Sequence, residues 1–261
     1  MARHQPHRRE ASVVRRDPPK LGQHFLISKN ALDRIAAAAC GDQASLAVEI
    51  GPGRGALTEK LLERAGRVVA IELDPELAAH LRTRWPALEL IEHNALDVDW
   101  KQWGAGVLTG NLPYYVATAM ISKYLRSPGE LTHGVFLIQK EVAERITAKP
   151  GSRDYGYFSV ECQFLAETEY LFTVAPGAFR PPPKVDSAVI RLSPRKPMAT
   201  DDVDGFLAFA SACFRQKRKT LANNLRALYG QHPELSMRAE QLSVDELLAL
   251  HARLQDAQRR A

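Results

Sequence analysis

Gly51, Gly53 and Gly55, spaced two apart, follow the apolar run Leu46-Ala47-Val48-Glu49-Ile50 and directly precede a helical pattern that begins at Ala56. Residues without side chains at the carboxyl end of a strand let a ligand lie against backbone N–H groups, which is where open parallel sheets bind. A pyrophosphate-binding loop needs GxGxxG, whereas this one is GxGxG with the acid Glu49 two residues before it. Taken alone, the loop is equally an ordinary glycine turn. Two more acids end apolar runs. Glu72 closes Arg67–Glu72, where a carboxylate can accept ribose hydroxyls, and Asp97 in Asn94-Ala95-Leu96-Asp97 can accept a hydrogen bond from an adenine amino group. One such acid is also explained as a solvated strand end. Acids after three successive strands, with glycines at the first, point to a cofactor that contains a nucleoside.

The fourth apolar run leads into Gly110-Asn111-Leu112-Pro113-Tyr114-Tyr115. An asparagine amide oxygen and the Leu112 carbonyl next to Pro113 form a pair of acceptors for both hydrogens of an exocyclic amine. With those hydrogens engaged, the nitrogen lone pair leaves the ring system and can meet an electrophile, while Tyr114 offers a face for the base. No strong base is required. A strand-to-helix turn with an aromatic plug is the plainer reading of the same residues. Metal and hydrolase chemistry is poorly served: the eight histidines show no HxH or HExxH spacing, and no GxSxG elbow or P-loop lysine occurs. Cys40, Cys162 and Cys213 are widely spaced with no CxxC pair, which argues against a disulfide framework and for a reducing cytoplasm.

These residues need a scaffold, and 261 residues at about 150 per domain allow one or two. Charged residues make up 25% and hydrophobic ones 45%, and no apolar run approaches the roughly 20 residues of a membrane span. The net charge is +5, from 35 basic and 30 acidic residues, and residues 1–20 hold six Lys/Arg against two acids. The segment 1–19 therefore reads as a basic disordered arm, either merely solvated or able to sample RNA phosphate.

From Ser28 onward, helical and strand patterns alternate with short connections, the signature of parallel βαβ units. Helices are expected after Ser28, over 56–65, after the Asp74-Pro75 cap, over 116–126 and up to Ala148, with strands between them. Residues 158–174 and 184–192 read as two long antiparallel edge strands. The composition changes at 193–200, and every later segment reads as helix. The expected layout is an α/β domain over 20–195, mostly parallel with an antiparallel edge strand, and a small all-helical domain over 200–261.

Taken in order, these stretches resemble the ribosomal small-subunit RNA adenine dimethyltransferases. The resemblance runs from Lys20-Leu21-Gly22-Gln23-His24-Phe25-Leu26 through the glycine loop, residues 71–74, 94–97 and 111–118. It continues through Tyr155-Gly156, Ser159-Val160 and residues 179–187 to Phe214–Leu221. It implies a Class I (Rossmann-like) methyltransferase that uses S-adenosyl-L-methionine to dimethylate N6 of two adjacent adenosines in the 3′-terminal hairpin loop of 16S rRNA, in the small ribosomal subunit or its precursor. It further implies that His24, Leu26, Gly51, Glu72, Asp97 and Asn111 contact the cofactor, to which the loop reading adds Gly53. By the same resemblance, Asn111, Leu112, Pro113 and Tyr114 hold the target base and Phe179 stacks on it. Arg215, Lys217, Arg218 and Lys219 are expected to contact phosphate unless they form a solvated helix face. The protein is expected to work as a cytoplasmic monomer without a metal. Rival readings are a 23S rRNA adenine N6-methyltransferase of the antibiotic-resistance type and a non-catalytic nucleic-acid-binding relative.

Overall fold

Every strand expected between residues 44 and 139 pairs in parallel with its neighbour in the protein, a computed structural model that describes residues 23–195, 200–232 and 234–260. The proposed arm, residues 20–22 of the first motif and residues 196–199 of the boundary lie outside the described residues. A short strand β1 (Phe25–Leu26) is followed by β2 (Ala44–Ile50), β3 (Ala65–Glu72), β4 (Glu89–Glu92), β5 (Gly106–Asn111) and β6 (Leu131–Gln139). Then come β7 (Ala166–Val174), a second short strand β8 (Phe179–Arg180), and β9 (Ser187–Pro194). The main sheet has the order β4-β3-β2-β5-β6-β9-β7, and β1 pairs with β8 apart from it. β9 runs antiparallel to both β6 and β7, so the antiparallel edge consists of a reversed strand and its outer neighbour.

Alternation along the strands buries both faces of the sheet. Leu46, Val48 and Ile50 of β2 enter one apolar cluster, and Ala47 enters the other with Val68, Val107 and Val135. The second face is covered by α1 (Lys29–Cys40) and α2 (Ala56–Leu62). α1 starts where Ser28 Oγ accepts from Ala31 N at 3.4 Å. α3 (Pro75–Arg84) starts where Asp74 Oδ1 accepts from Glu76 N at 2.9 Å, with Pro75 at its first position. α2 ends at Leu62, short of the expected 65, because Ala65 already belongs to β3. α4 (Ala117–Arg126) and α5 (Lys140–Ile146) pack on the first face.

Residues 157–165 depart from expectation: they form helix α6 (Tyr157–Leu165), and only 166–174 are strand. The reason is burial on several sides. Ser159, Val160, Glu161, Cys162, Phe164 and Leu165 are all buried, so the segment has no polar stripe to reveal a helical period. Its start is set when Ser159 Oγ accepts from Gly156 N at 3.0 Å. α7 (Val203–Cys213), α8 (Leu221–Tyr229) and α9 (Val244–Arg260) complete the chain as the expected helices. Phe206 of α7 lies 4.5 Å from Phe164 of α6, ring to ring, and residues of all three helices join the same apolar cluster as the first sheet face.

Candidate active site

A cavity opens at the carboxyl ends of β2, β3 and β5, and the glycine loop forms part of its wall. Gly51 and Gly53 adopt φ of 66° and 58°, backbone that L side chains rarely enter. A Cβ on Gly51 would meet nothing within 4 Å, whereas one on Gly53 would come within 3.1 Å of the Phe25 ring. The loop is thus bare towards the cavity and tight towards the N-terminal segment.

Glu72, at the end of β3, is only 4% exposed. Its Oε2 accepts from Gly53 N at 2.9 Å, and Oε1 accepts from the Leu73 and Asp74 N–H groups, each at 2.9 Å. Three backbone donors hold the carboxylate in one orientation before any ligand arrives. Behind it, buried Glu49 accepts from Thr58 Oγ1 at 2.6 Å. Burial pushes the Glu49 carboxyl up to about 8; the Thr58 bond opposes that rise and the Glu72 charge adds to it. The Glu49 carboxyl is thereby biased towards its neutral form.

Residues 23–27 cross the cavity as a strap. β1 pairs antiparallel with β8, Leu26 opposite Phe179 and Phe25 opposite Arg180. His24 Nδ1 donates to the Pro181 carbonyl at 2.8 Å, and the Arg54 guanidinium lies 4.7 Å from the centre of the Phe25 ring. The strap also reaches the end of β5, where Asn111 Nδ2 donates to the His24 carbonyl at 2.9 Å and leaves its Oδ1 as an acceptor. Leu112 is buried, with its N–H donated to the Leu137 carbonyl at 3.0 Å. Tyr114 shares a 2.7 Å hydrogen bond with Ser187 at the start of β9, and its ring lies 5.8 Å from that of His24. Burial raises the Tyr114 hydroxyl above the usual tyrosine value, with the Ser187 bond opposing, so it stays protonated at neutral pH.

His24, Leu26, Gly51, Gly53, Glu72, Asn111, Leu112, Pro113 and Tyr114 all line this one cavity. Two anticipated residues do not. Asp97 is exposed, with Oδ2 accepting from Asn94 Nδ2 at 2.9 Å, and lies outside the lining. Phe179 is 2% exposed within the second apolar cluster, so its ring is not free to stack on a base in this conformation; pairing of β1 with β8 packs it inward. Arg215, Lys217, Arg218 and Lys219 are all exposed, but on the turn between α7 and α8 and not on a helix face. Lys217 Nζ donates to the Arg153 carbonyl at 2.5 Å. Arg54 and Arg180 also line the cavity, and Ser187 holds Tyr114, roles that no sequence motif assigns to them. Arg54 stood inside the glycine motif and Ser187 closed the run 179–187, but neither has a spacing that announces its partner.

The pattern of the family described as "Ribosomal RNA adenine dimethylase" matches residues 15–256. The chain is 42% identical to a ribosomal RNA small subunit methyltransferase A of Acidobacterium capsulatum, over 95% of each chain. Among solved structures it resembles a dimethyladenosine transferase from Plasmodium falciparum, with a TM-score of 0.79, 25% identity, and 89% of this chain and 98% of that one covered. It also resembles the 23S rRNA methyltransferase ErmE, with a TM-score of 0.73, 25% identity, and 88% and 99% covered. With a family match over nearly the whole chain, and a site built at the carboxyl ends of a methyltransferase sheet, the chain belongs to the ribosomal RNA adenine dimethylase family.

Proposed function

We propose that the protein dimethylates N6 of two adjacent adenosines in the 3′-terminal hairpin loop of 16S rRNA, acting in the cytoplasm as a single chain on the small ribosomal subunit or its precursor. The observation that carries this reading is the end of β5: Asn111, whose amide nitrogen donates to the His24 carbonyl, lines the same cavity as the glycine loop and Glu72. S-adenosyl-L-methionine supplies the electrophilic methyl group when bound. The residues present suit it: Gly51 leaves open space where a Cβ would stand, and Glu72 is a pre-oriented buried carboxylate able to accept ribose hydroxyls. Asp97 would accept from the adenine amino group.

Asn111 Oδ1 and the Leu112 carbonyl take the two N6 hydrogens of the target base, so the nitrogen lone pair is freed from the ring and aimed across the cavity. The Tyr114 ring supplies a face for the extruded adenine, whose unstacking costs a few kcal/mol. Its hydroxyl is tied to Ser187 and protonated, so it acts by position and not as a base. Orientation and electrostatics do the work, and the proton leaves after transfer.

The test uses labelled S-adenosyl-L-methionine with small and large ribosomal subunits that lack the mark, followed by mapping of the modified nucleotides. Two neighbouring N6,N6-dimethyladenosines in the 3′-terminal hairpin are expected. Label confined to 23S rRNA would favour the ErmE-like reading, and no label on either subunit would favour a non-catalytic binder.

A further inference from the structure

Lys123 lies on α4, the helix that follows the Asn111–Tyr114 turn, and its side chain reaches the loop carrying Asp97. Its Nζ donates to the carbonyls of Ala95 at 3.2 Å, Leu96 at 2.5 Å and Val98 at 2.6 Å, which uses all three ammonium donors. The same nitrogen lies 4.7 Å from the centre of the Trp100 ring, and Trp100 Nε1 donates to the Ala95 carbonyl at 3.1 Å. Three carbonyl dipoles converging on one point repel each other unless a cation stands between them. Within the loop, Asn94 Oδ1 accepts from Leu96 N at 3.0 Å and Asn94 Nδ2 donates to Asp97 Oδ2 at 2.9 Å, so the other Asp97 oxygen remains for a ligand. Burial pulls the Lys123 ammonium below the usual lysine value, while the charges of Asp97 and Asp99 oppose that fall.

We propose that Lys123 is a positioning residue that holds loop 94–98 so that Asp97 presents its carboxylate to the adenine amino group of the methyl donor. The proposal rests on the cofactor reading above. Asp97 is exposed and outside the cavity lining, so its reach to a bound nucleoside depends on the loop's shape and not on a rigid wall. It also ties the donor's adenine end to the helix that starts at the methyl-accepting end, through one side chain.

The experiment compares two ligands by calorimetry: S-adenosyl-L-homocysteine, and S-inosyl-L-homocysteine, in which a carbonyl replaces the amino group. Asp97→Ala and Lys123→Met should each weaken the adenosyl ligand by about tenfold while leaving the inosyl ligand within about twofold. In methylation assays Lys123→Met should raise KM for the donor and leave kcat within about twofold. Equal weakening of both ligands by Lys123→Met, or no weakening of either, overturns the proposal while Asp97→Ala still discriminates. If Asp97→Ala leaves both affinities unchanged, the adenine role of Asp97 falls and Lys123's with it. Should circular dichroism show Lys123→Met unfolded, Lys123→Gln, which keeps two donors without the charge, replaces it with the same two ligands.

Discussion

Asn111 Nδ2 donates to the His24 carbonyl, a bond that favours the amide orientation in which Oδ1 serves as the acceptor. Removing that acceptor should matter chiefly when the N6 hydrogens must be held in the transition state. Asn111→Ala is expected to slow single-turnover methylation by about 10² to 10³-fold, comparable to losing one preorganised transition-state hydrogen bond. Affinity for S-adenosyl-L-methionine should fall by much less, and a near-normal single-turnover rate would remove the role. Glu49 offers a separate test. Its folded pKa of about 8 lies above the ordinary 4.5, so the neutral form stabilises the fold fully below about pH 4.5, and that stabilisation is lost as pH rises through 8. Replacing it with an always-neutral amide, Glu49→Gln, should flatten the fall in unfolding free energy between pH 5 and 9 measured in urea; an unchanged slope would show that Glu49 ionises as an ordinary carboxylate. Gly51, Glu72 and Asn111 were legible in the sequence because a strand's carboxyl end is a local property. The Tyr114–Ser187 bond spans 73 positions and the inward packing of Phe179 depends on β8 meeting β1, so neither leaves a periodic trace.

At the scale of elements, α6 is the instructive case. A helix buried between the sheet and the C-terminal helices carries apolar residues on most sides, and alternate apolar positions such as Val160, Cys162 and Phe164 then mimic a strand. The helices with a polar face and a capping Ser28 or Asp74 were legible to within a residue at their starts, because each cap satisfies backbone N–H groups locally. α6 also buries an acid, Glu161, whose Oε1 accepts from Arg126 Nε at 3.0 Å and Nη2 at 2.8 Å, linking it to α4. Arg126 is 44% exposed and Glu161 5%, so removing the arginine strands a carboxylate in the interior while solvent screens part of the cost. Arg126→Met should therefore lower stability by about 2 kcal/mol, below the roughly 3 to 5 of a fully buried pair. Urea denaturation checks this, and a loss under about 0.5 kcal/mol would mean that Glu161 finds water or another partner.

Across the whole molecule, the cavity and the basic turn between α7 and α8 belong to different parts of the chain, joined through one continuous apolar cluster. Lys217 of that turn donates to the Arg153 carbonyl, which ties the turn to the loop before α6. Arg215, Arg218 and Lys219 are exposed beside it. Among the described residues near the cavity, Phe25 lies against Arg54 and Phe179 is buried, which leaves the Tyr114 face and the exposed Tyr115 and not the long row of aromatics by which short single strands are usually gripped. Phosphate contacts at a distance from the reacting base suit a large shaped surface, where position is fixed by backbone and not by sequence. Neutralising Arg215, Lys217, Arg218 and Lys219 together should flatten the log-log salt dependence of RNA binding by about one unit for each lost phosphate contact and leave cofactor binding untouched. Small subunits lacking the mark should be better acceptors than naked 16S rRNA, and that rRNA better than an isolated hairpin. The neutral variant should lose most of the subunit's advantage, because it removes the grip that only the larger surface engages. Equal rates on all three acceptors, or an unchanged salt slope, would place recognition at the cavity mouth alone.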